Sequence, residues 1–357
     1  MLRQSQRYDM LCRTLHMHRS FLPISIAIFL SFVVFLSFNT RLLSLPPEAF
    51  RNHHSQSLLS ETTLSPPTPV ITPTNVLPFT FSTGHRIPPK IWQILFPHPN
   101  SPVDVPFDPQ VLVDTPSWLT LNPGYSYILV GQREADYFIN THFSADAKLL
   151  SAWEAITNPG VKSDLLRYLM LYIEGGVYTD IDTEALKPID TWVPEKYRDR
   201  AKVIIGIEWD QLDGGAWAEI PHRLQFCQWT IAAAPGHPLF MKMAYHTIDR
   251  LEELATEHQT TLMDLELSSA EVLTSSGPSS WTDIVLQHII GMDPDITDVT
   301  DFSGMKPTGP RLHEDILILT IDGFGMGQTH SNSTHDGTIP EAALLKHKFR
   351  GSWRSGG

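Results

Sequence analysis

Cysteine is nearly absent. The 357-residue chain has two, Cys12 and Cys227, on opposite sides of its one long apolar run. Neither a disulfide framework nor a zinc cluster can therefore hold the fold. Stability must come from a packed core, and 42% hydrophobic with 18% charged residues suits one. Basic charge is also scarce: 26 Lys and Arg face 39 Asp and Glu, a net −13. Arg3, Arg7, Arg13 and Arg19 against Asp9 give the first twenty residues +3, which leaves about −16 on the rest. So acidic a body argues against a nucleic-acid surface, which needs clustered Lys and Arg. It leaves room for an anionic small substrate if a bound cation inverts the local charge. No internal repeat is visible, and no nucleophile stands out.

Long apolar runs are rare as well. The one present, Phe21–Phe38, has eighteen residues without a charge, at the short end of what spans a bilayer. Four arginines precede it, so the positive-inside rule puts residues 1–20 in the cytosol and the body beyond the membrane. A cleaved signal peptide is the competing reading. The length of the run and the poor cleavage site at Ser37-Phe38-Asn39 favour an uncleaved anchor over 21–38. Residues 39–83, rich in Pro, Ser and Thr, lack the apolar periodicity to fold and read as a stem.

A folded domain is expected over 84–357. Strands are expected over Ile87–Phe96, Ser126–Val130, Lys202–Ile207, Phe226–Ala234 and Asp315–Ile321. Helices are expected over Ala145–Ile156, Pro238–Leu254 and Trp281–Ile290. The alternation predicts an α/β domain with a mainly parallel sheet, whose ligands gather beyond the C-terminal strand ends.

The most informative stretch is Ser163–Asp182. Leu165, Leu166, Leu169, Met170 and Ile173 recur at helical spacing, and Gly175-Gly176 supplies a left-handed stop. Val177-Tyr178-Thr179 is β-prone, and an extended chain would put Asp180 and Asp182 on one side. By itself Asp-x-Asp is weak, since a chain this long holds about one by chance. A second, Asp293-Pro-Asp295, lies in a loop-like context and reads as a solvated acidic turn. Asp164 and Arg167, three apart on the expected helix, share a face, either as an exposed ion pair of little worth or as site residues. Tyr178 reads as core packing.

Context gives the first pair its meaning. Ser163-Asp164-x-x-Arg167 followed by Gly175-Gly176-Val-Tyr-x-Asp180-x-Asp182 resembles the sugar-binding region of glycosyltransferases with an Asp-x-Asp motif. It is similar to the fungal initiation-specific α-1,6-mannosyltransferase group of glycosyltransferase family 32, and more distantly to clostridial glucosylating toxins. Ile87-Pro-Pro-Lys-Ile-Trp92, Gly277-Pro-x-x-Trp-Thr-Asp283 and His347-x-Phe-x-Gly-Ser-Trp353 extend the resemblance over about residues 84–353. It implies a Rossmann-like GT-A domain behind a transmembrane anchor, as a single-pass type II Golgi enzyme. It implies GDP-mannose as donor, an N-glycan or mannan acceptor, an α-1,6 linkage, retention of configuration and membership of a glycosyltransferase complex.

The resemblance also implies roles. Asp182 becomes a metal ligand and Asp180 a contact to metal, ribose or sugar, with His347 completing a Mn2+ or Mg2+ site. A surface histidine in a basic tail is the alternative for His347. Asp164 and Arg167 fall on the donor, Ser352 and Trp353 near the diphosphate, and Trp281 and Asp283 at a substrate pocket, unless Trp281 is core. Oxygen ligands suit Mg or Mn, and one imidazole tilts the choice to Mn. Asn332-Ser-Thr334 is a glycosylation sequon. The chain departs from the family at Ser279-Ser280 and over the polar segment Gly325–Gly337, which bears on the acceptor more than on the chemistry. Rival expectations are a sphingolipid acceptor such as inositol phosphorylceramide, another sugar nucleotide, or a non-catalytic glycan-binding subunit.

Overall fold

The structure, a computed structural model, describes residues 86–96, 108–217, 220–329 and 331–350. The expected anchor 21–38, the stem 39–83, Ser352 and Trp353 lie outside these residues. Among the described residues no helix is long and apolar enough to cross a membrane.

Pro88-Pro89 lead into strand β1 (Lys90–Ile94). After helix α1 (Thr115–Leu121), the turn closed by Tyr125 N donating to Asn122 O delivers β2 (Ser126–Val130). Three helices follow: α2 (Gln132–Phe143), α3 (Ala147–Ala155) and α4 (Pro159–Ile173). The Asp146 side chain accepts from Leu149 N to start α3, and Asn158 accepts from Gly160 N and Val161 N to start α4, with Pro159 in the first turn. Helix α4 thus begins a turn ahead of Ser163. Leu165, Leu166, Tyr168, Leu169 and Leu171 are all inaccessible to solvent, so it is a helix buried nearly all round.

The remaining elements are β3 (Gly176–Thr179), β4 (Thr183–Ala185), β5 (Val203–Ile205), β6 (Ile207–Asp210), β7 (Leu224–Phe226) and β8 (Thr230–Ala233). Helices α5 (Pro238–Glu257), α6 (Ser269–Ser275) and α7 (Pro278–Ile290) precede β9 (Arg311–His313), β10 (Ile316–Ile318), α8 (Ile321–Gly325) and β11 (Leu345–His347). Seven strands form one sheet in the order β2-β1-β3-β8-β5-β10-β9. Its two faces alternate along the strands. Val177, Ile204, Ala232 and Leu317 enter one core, and Tyr178, Val203, Ile205, Ile231 and Ile316 enter the larger, helix-covered one.

The sheet is mixed, which corrects the expectation of a mainly parallel one. β1 pairs in parallel with β2 and β3, and β5 with β10, but β8 runs antiparallel to both neighbours and β9 to β10. The cause is a hairpin. The strand expected over Lys202–Ile207 bends at Gly206 and continues as β6. The strand expected over Phe226–Ala234 is likewise two, β7 and β8. β6 pairs antiparallel with β7, so the chain leaves the sheet as β6 and returns reversed as β8.

Gly175 and Gly176 fix how α4 meets β3. Their φ angles are +62 and +102. A Cβ on Gly175 would lie 2.7 Å from Ala233 O, and one on Gly176 2.8 Å from Lys90 O. The Trp92 indole N–H closes the turn on Gly175 O at 2.8 Å. A Gly175→Ala substitution is expected to cost about 1–3 kcal/mol from backbone strain alone, read as a lower urea midpoint.

Candidate active site

The site grows from the end of β3. Backbone and side chains clamp Asp180: its N–H donates to Trp229 O at 2.8 Å, and its carbonyl accepts from Gln93 Nε2 and Thr183 Oγ1 at 3.1 and 2.6 Å. Asp180-Ile181-Asp182 is a turn into β4 rather than an extended strand end. What brings the carboxylates together is therefore not strand alternation but the chain's last described strand. β11 pairs antiparallel with β4 in the register His347 opposite Thr183. His347 Nε2 lies 3.1 Å from Asp182 Oδ1 and 3.9 Å from Asp180 Oδ2. One ligand atom from each of Asp180, Asp182 and His347 lies within 4.8 Å of the others. The His347 ring stacks on Trp229 at 4.7 Å and 15°, which fixes the imidazole plane.

Each carboxylate is held on its far side. Asp182 Oδ2 accepts from Arg350 N at 2.8 Å, and Asp182 O from Lys348 N at 2.9 Å. Burial alone would raise the Asp182 pKa, but the hydrogen bond and charge of His347 and the Arg350 N–H outweigh it and hold it below the usual value. Asp182 is also buried, so it braces the terminal segment as well as the site. Asp180 Oδ1 accepts from Tyr178 Oη at 2.6 Å and from Arg167 Nη2 at 3.2 Å. Burial pushes the Tyr178 hydroxyl well above its usual pKa, so it remains a donor. Tyr178 packs in the core, as expected, and also orients the motif. Asp180 keeps 30% of its side chain exposed and remains open to a ligand.

Arg167 and Asp164 are buried, which rules out an exposed ion pair. Arg167 Nη1 donates to Gln228 O at 3.0 Å, and Nη2 reaches Tyr178 Oη, Asp180 and, at 3.1 Å, Asp164 Oδ1. Ser276 Oγ donates to Asp164 Oδ2 at 2.8 Å. Burial raises the Asp164 carboxyl to about 6 against the pull of Arg167 and Ser276. The set of two carboxylates and one imidazole, open on the Asp180 side, suits a hard divalent cation rather than a thiophilic one.

Other expected residues fall elsewhere. Trp281 is fully buried between Tyr168 and Phe240, stacked at 5.5 and 5.9 Å. It is a core residue supporting the site rather than a pocket wall. Asp283 is exposed and bonds His222 Nε2 at 2.8 Å, outside the metal-type cluster. Asn332 has φ +58, and its Nδ2 donates to Asp210 O and Gln211 O. Asp293-Pro-Asp295 is a turn: Asp295 N donates to Asp293 Oδ1, and His313 Nδ1 lies 3.0 Å from Asp293 Oδ2.

Sequence reasoning missed Gln228, Trp229, Ser276 and Glu208. Gln228 and Trp229 lay hidden in what read as one long strand. Glu208 had a visible signal, a lone acid in the apolar run Val203–Trp209. Burial raises its carboxyl to about 7, although the Gln225 amide and the His347 charge draw it down. For an acid whose folded pKa is raised, the native state binds the extra proton. Stability is therefore highest below the unfolded pKa and falls as pH rises from about 4.5 to about 7. Glu208→Gln is expected to flatten that part of a stability–pH curve measured by urea denaturation and to be the more stable protein at pH 8.

Residues 110–199 match the family model described as the glycosyltransferase sugar-binding region containing a DXD motif. The chain is 33% identical over 291 residues to the initiation-specific alpha-1,6-mannosyltransferase of Schizosaccharomyces pombe, covering 80% of this chain and 68% of that protein. It is 31% identical over 265 residues to the protein of the same description from Candida albicans, covering 68% and 66%. It thus spans about two thirds of the length of these relatives. Among solved structures, PaToxG glycosyltransferase aligns over 60% of this chain and 74% of that one, at a TM-score of 0.41 and 17% identity.

Proposed function

Because the chain belongs to the initiation-specific α-1,6-mannosyltransferase family, we propose that it moves mannose from GDP-mannose to an N-glycan or mannan acceptor, forming an α-1,6 linkage with retention. That it is a glycosyltransferase follows from the family. The finer reading is supported most by the convergence of Asp180, Asp182 and His347 beside the buried pair Asp164–Arg167. We take the mixed sheet with its flanking helices to be of the GT-A type.

Asp180, Asp182 and His347 would hold Mn2+ or Mg2+, which supplies a Lewis acid for the charge that grows on the leaving diphosphate. The chain's own residues set up that chemistry. Arg167 and Tyr178 aim Asp180, while Arg350 N and His347 aim Asp182. The two terminal nitrogens of Arg167, Nη1 and Nη2, are already engaged, and its buried Nε has no partner among the described residues, so Arg167 acts on the donor chiefly through Asp180. Asp164, ionised above about pH 6, offers an acceptor oxygen to a sugar hydroxyl. Ser352 and Trp353 stand two and three residues beyond Arg350 in the sequence, and we assign them to the diphosphate side. With no nucleophile evident, we favour front-face displacement, in which the leaving diphosphate takes the proton of the acceptor hydroxyl.

Asp182→Asn is expected to lower transfer by at least about 10²-fold, with the far-UV spectrum unchanged. EDTA should abolish wild-type transfer, and Mn2+ should restore it. Transfer by Asp182→Asn at the wild-type rate in EDTA would refute the metal role. A panel of sugar nucleotides and acceptors, N-glycan against inositol phosphorylceramide, tests donor and acceptor.

We further place the body in the Golgi lumen, anchored by residues 21–38, where partner transferases of a mannan-synthesising complex would also lie. Glycosylated at Nδ2, Asn332 would retain one N–H for the Asp210 carbonyl, so the sequon is compatible with its fold position. A shift in gel mobility on deglycosylation, absent in Asn332→Gln, is the expected result.

A further inference from the structure

Beyond the two carboxylates of the Asp180–Asp182–His347 cluster, four more lie near it, and three of these have cation partners. Asp164 faces Arg167, Glu184 faces Lys348, and Asp114 pairs with Arg350 at 2.6 Å. Glu208 differs. It is 8% exposed and has no cation partner among the described residues. Its hydrogen bond is to a neutral amide, Gln225 Nε2, at 3.1 Å.

That amide is itself fixed. Ser279 Oγ, in the first turn of α7, donates to Gln225 Oε1 at 3.2 Å. Three residues earlier, Ser276 bonds Asp164. The turn that begins α7 therefore holds Asp164 by one serine and, through Gln225, Glu208 by another. His347 is close enough to Glu208 for its charge to act on the carboxyl. The two buried carboxyls are thus tied to the same turn, and each is coupled to the cluster by a different route, Asp164 through Arg167 and Glu208 through His347.

A second side chain beside β6 has unspent hydrogen-bonding capacity. Gln328 is 3% exposed, and neither its Oε1 nor its Nε2 has a partner among the described residues. A Cβ on Gly325 would fall 3.3 Å from Gln328 Nε2 and 3.6 Å from Glu208 O, so the amide and the Glu208 carbonyl lie on either side of one small gap left by that glycine. A buried amide left unpaired is costly. Gln328 lies in the Gly325–Gly337 segment and Ser279 at the start of α7, the two places where the sequence departs from its family.

We propose that Glu208, with Gln328 beside it, binds hydroxyl groups of the acceptor sugar. The inference rests on the transferase reading and supplies its acceptor half. An unpaired carboxyl repels an anionic diphosphate, whereas the hydroxyls of a neutral hexose both donate to a carboxylate and accept from an amide. The donor phosphate and sugar have the cluster and Asp164 to bind to. β6, which carries Glu208, and β11, which carries His347, both pack against α8, and Gln328 follows α8 in the chain. Glu208 is here a specificity-determining residue and takes no proton from the reacting hydroxyl.

The test is steady-state kinetics of the full-length protein in detergent. A labelled high-mannose oligosaccharide is the acceptor, and the donor is whichever sugar nucleotide the wild type uses best. Glu208→Ala and Gln328→Leu should each raise the KM for the oligosaccharide by about tenfold or more. The donor KM and the affinity for GDP with Mn2+ should stay within about twofold. Glu208→Gln, which keeps shape and hydrogen bonding, should recover most of the loss and controls for folding. An unchanged acceptor KM in Glu208→Ala would overturn the proposal. So would a parallel rise in donor KM, which would put Glu208 on the donor or make it structural. Failure of the wild type to use any sugar nucleotide would instead sink the transferase reading, and the wild-type arm alone reports it.

Discussion

Antiparallel pairing of β4 with β11 is what turns two neighbouring acids into a site. Asp180 and Asp182 lie in a turn, where their spacing alone guarantees no common direction. His347 opposite Thr183, with Arg350 N and Lys348 N on Asp182, pulls the carboxylates and the imidazole to one point. β4 and β11 form their own two-stranded ladder apart from the main sheet, but Ala185 and Leu345 on it are buried in the smaller core. The ladder thus serves the packing of that core and the geometry of the site together.

Electrostatics around that ladder are graded by burial rather than by count of charges. Asp182, with an imidazole and a backbone N–H on its oxygens, is held ionised. Asp164 has a guanidinium close by, yet burial still lifts its carboxyl. Glu208, hydrogen-bonded to an amide and without a paired cation, is raised by burial as well. Arg167 carries most of the compensation, because one buried cation serves both Asp164 and Asp180. An arrangement of this kind contributes little net stability over apolar packing. Its effect is to hold Asp180 in one orientation.

Much of this was legible in the sequence. The helix–glycine–strand stretch read correctly because its signals are local: an apolar period, two glycines with positive φ and a β-prone triplet. The pairing of Asp164 with Arg167 followed from helical spacing, and His347 was named from a motif. The mixed sheet was not legible, because a hairpin that leaves the sheet and returns is written in contacts between β6 and β7, such as Ile207 with Phe226 and Asp210 with Leu224, not in periodicity. The same hairpin concealed Gln228 and Trp229. Whether Trp281 lined a pocket or stood in the core was open in the sequence, which cannot tell a stacking partner from a ligand; its stacking on Tyr168 and Phe240 puts it in the core.

His347 stands 165 residues beyond Asp182, and that separation orders the making of the enzyme in time. A chain emerging from the ribosome completes α4, β3 and the aspartate turn long before the third member of the cluster exists. Leu344 and Leu345 join the smaller core at the same late point as His347. Completion of the site is thus a late event, coupled to closure of the terminal strand.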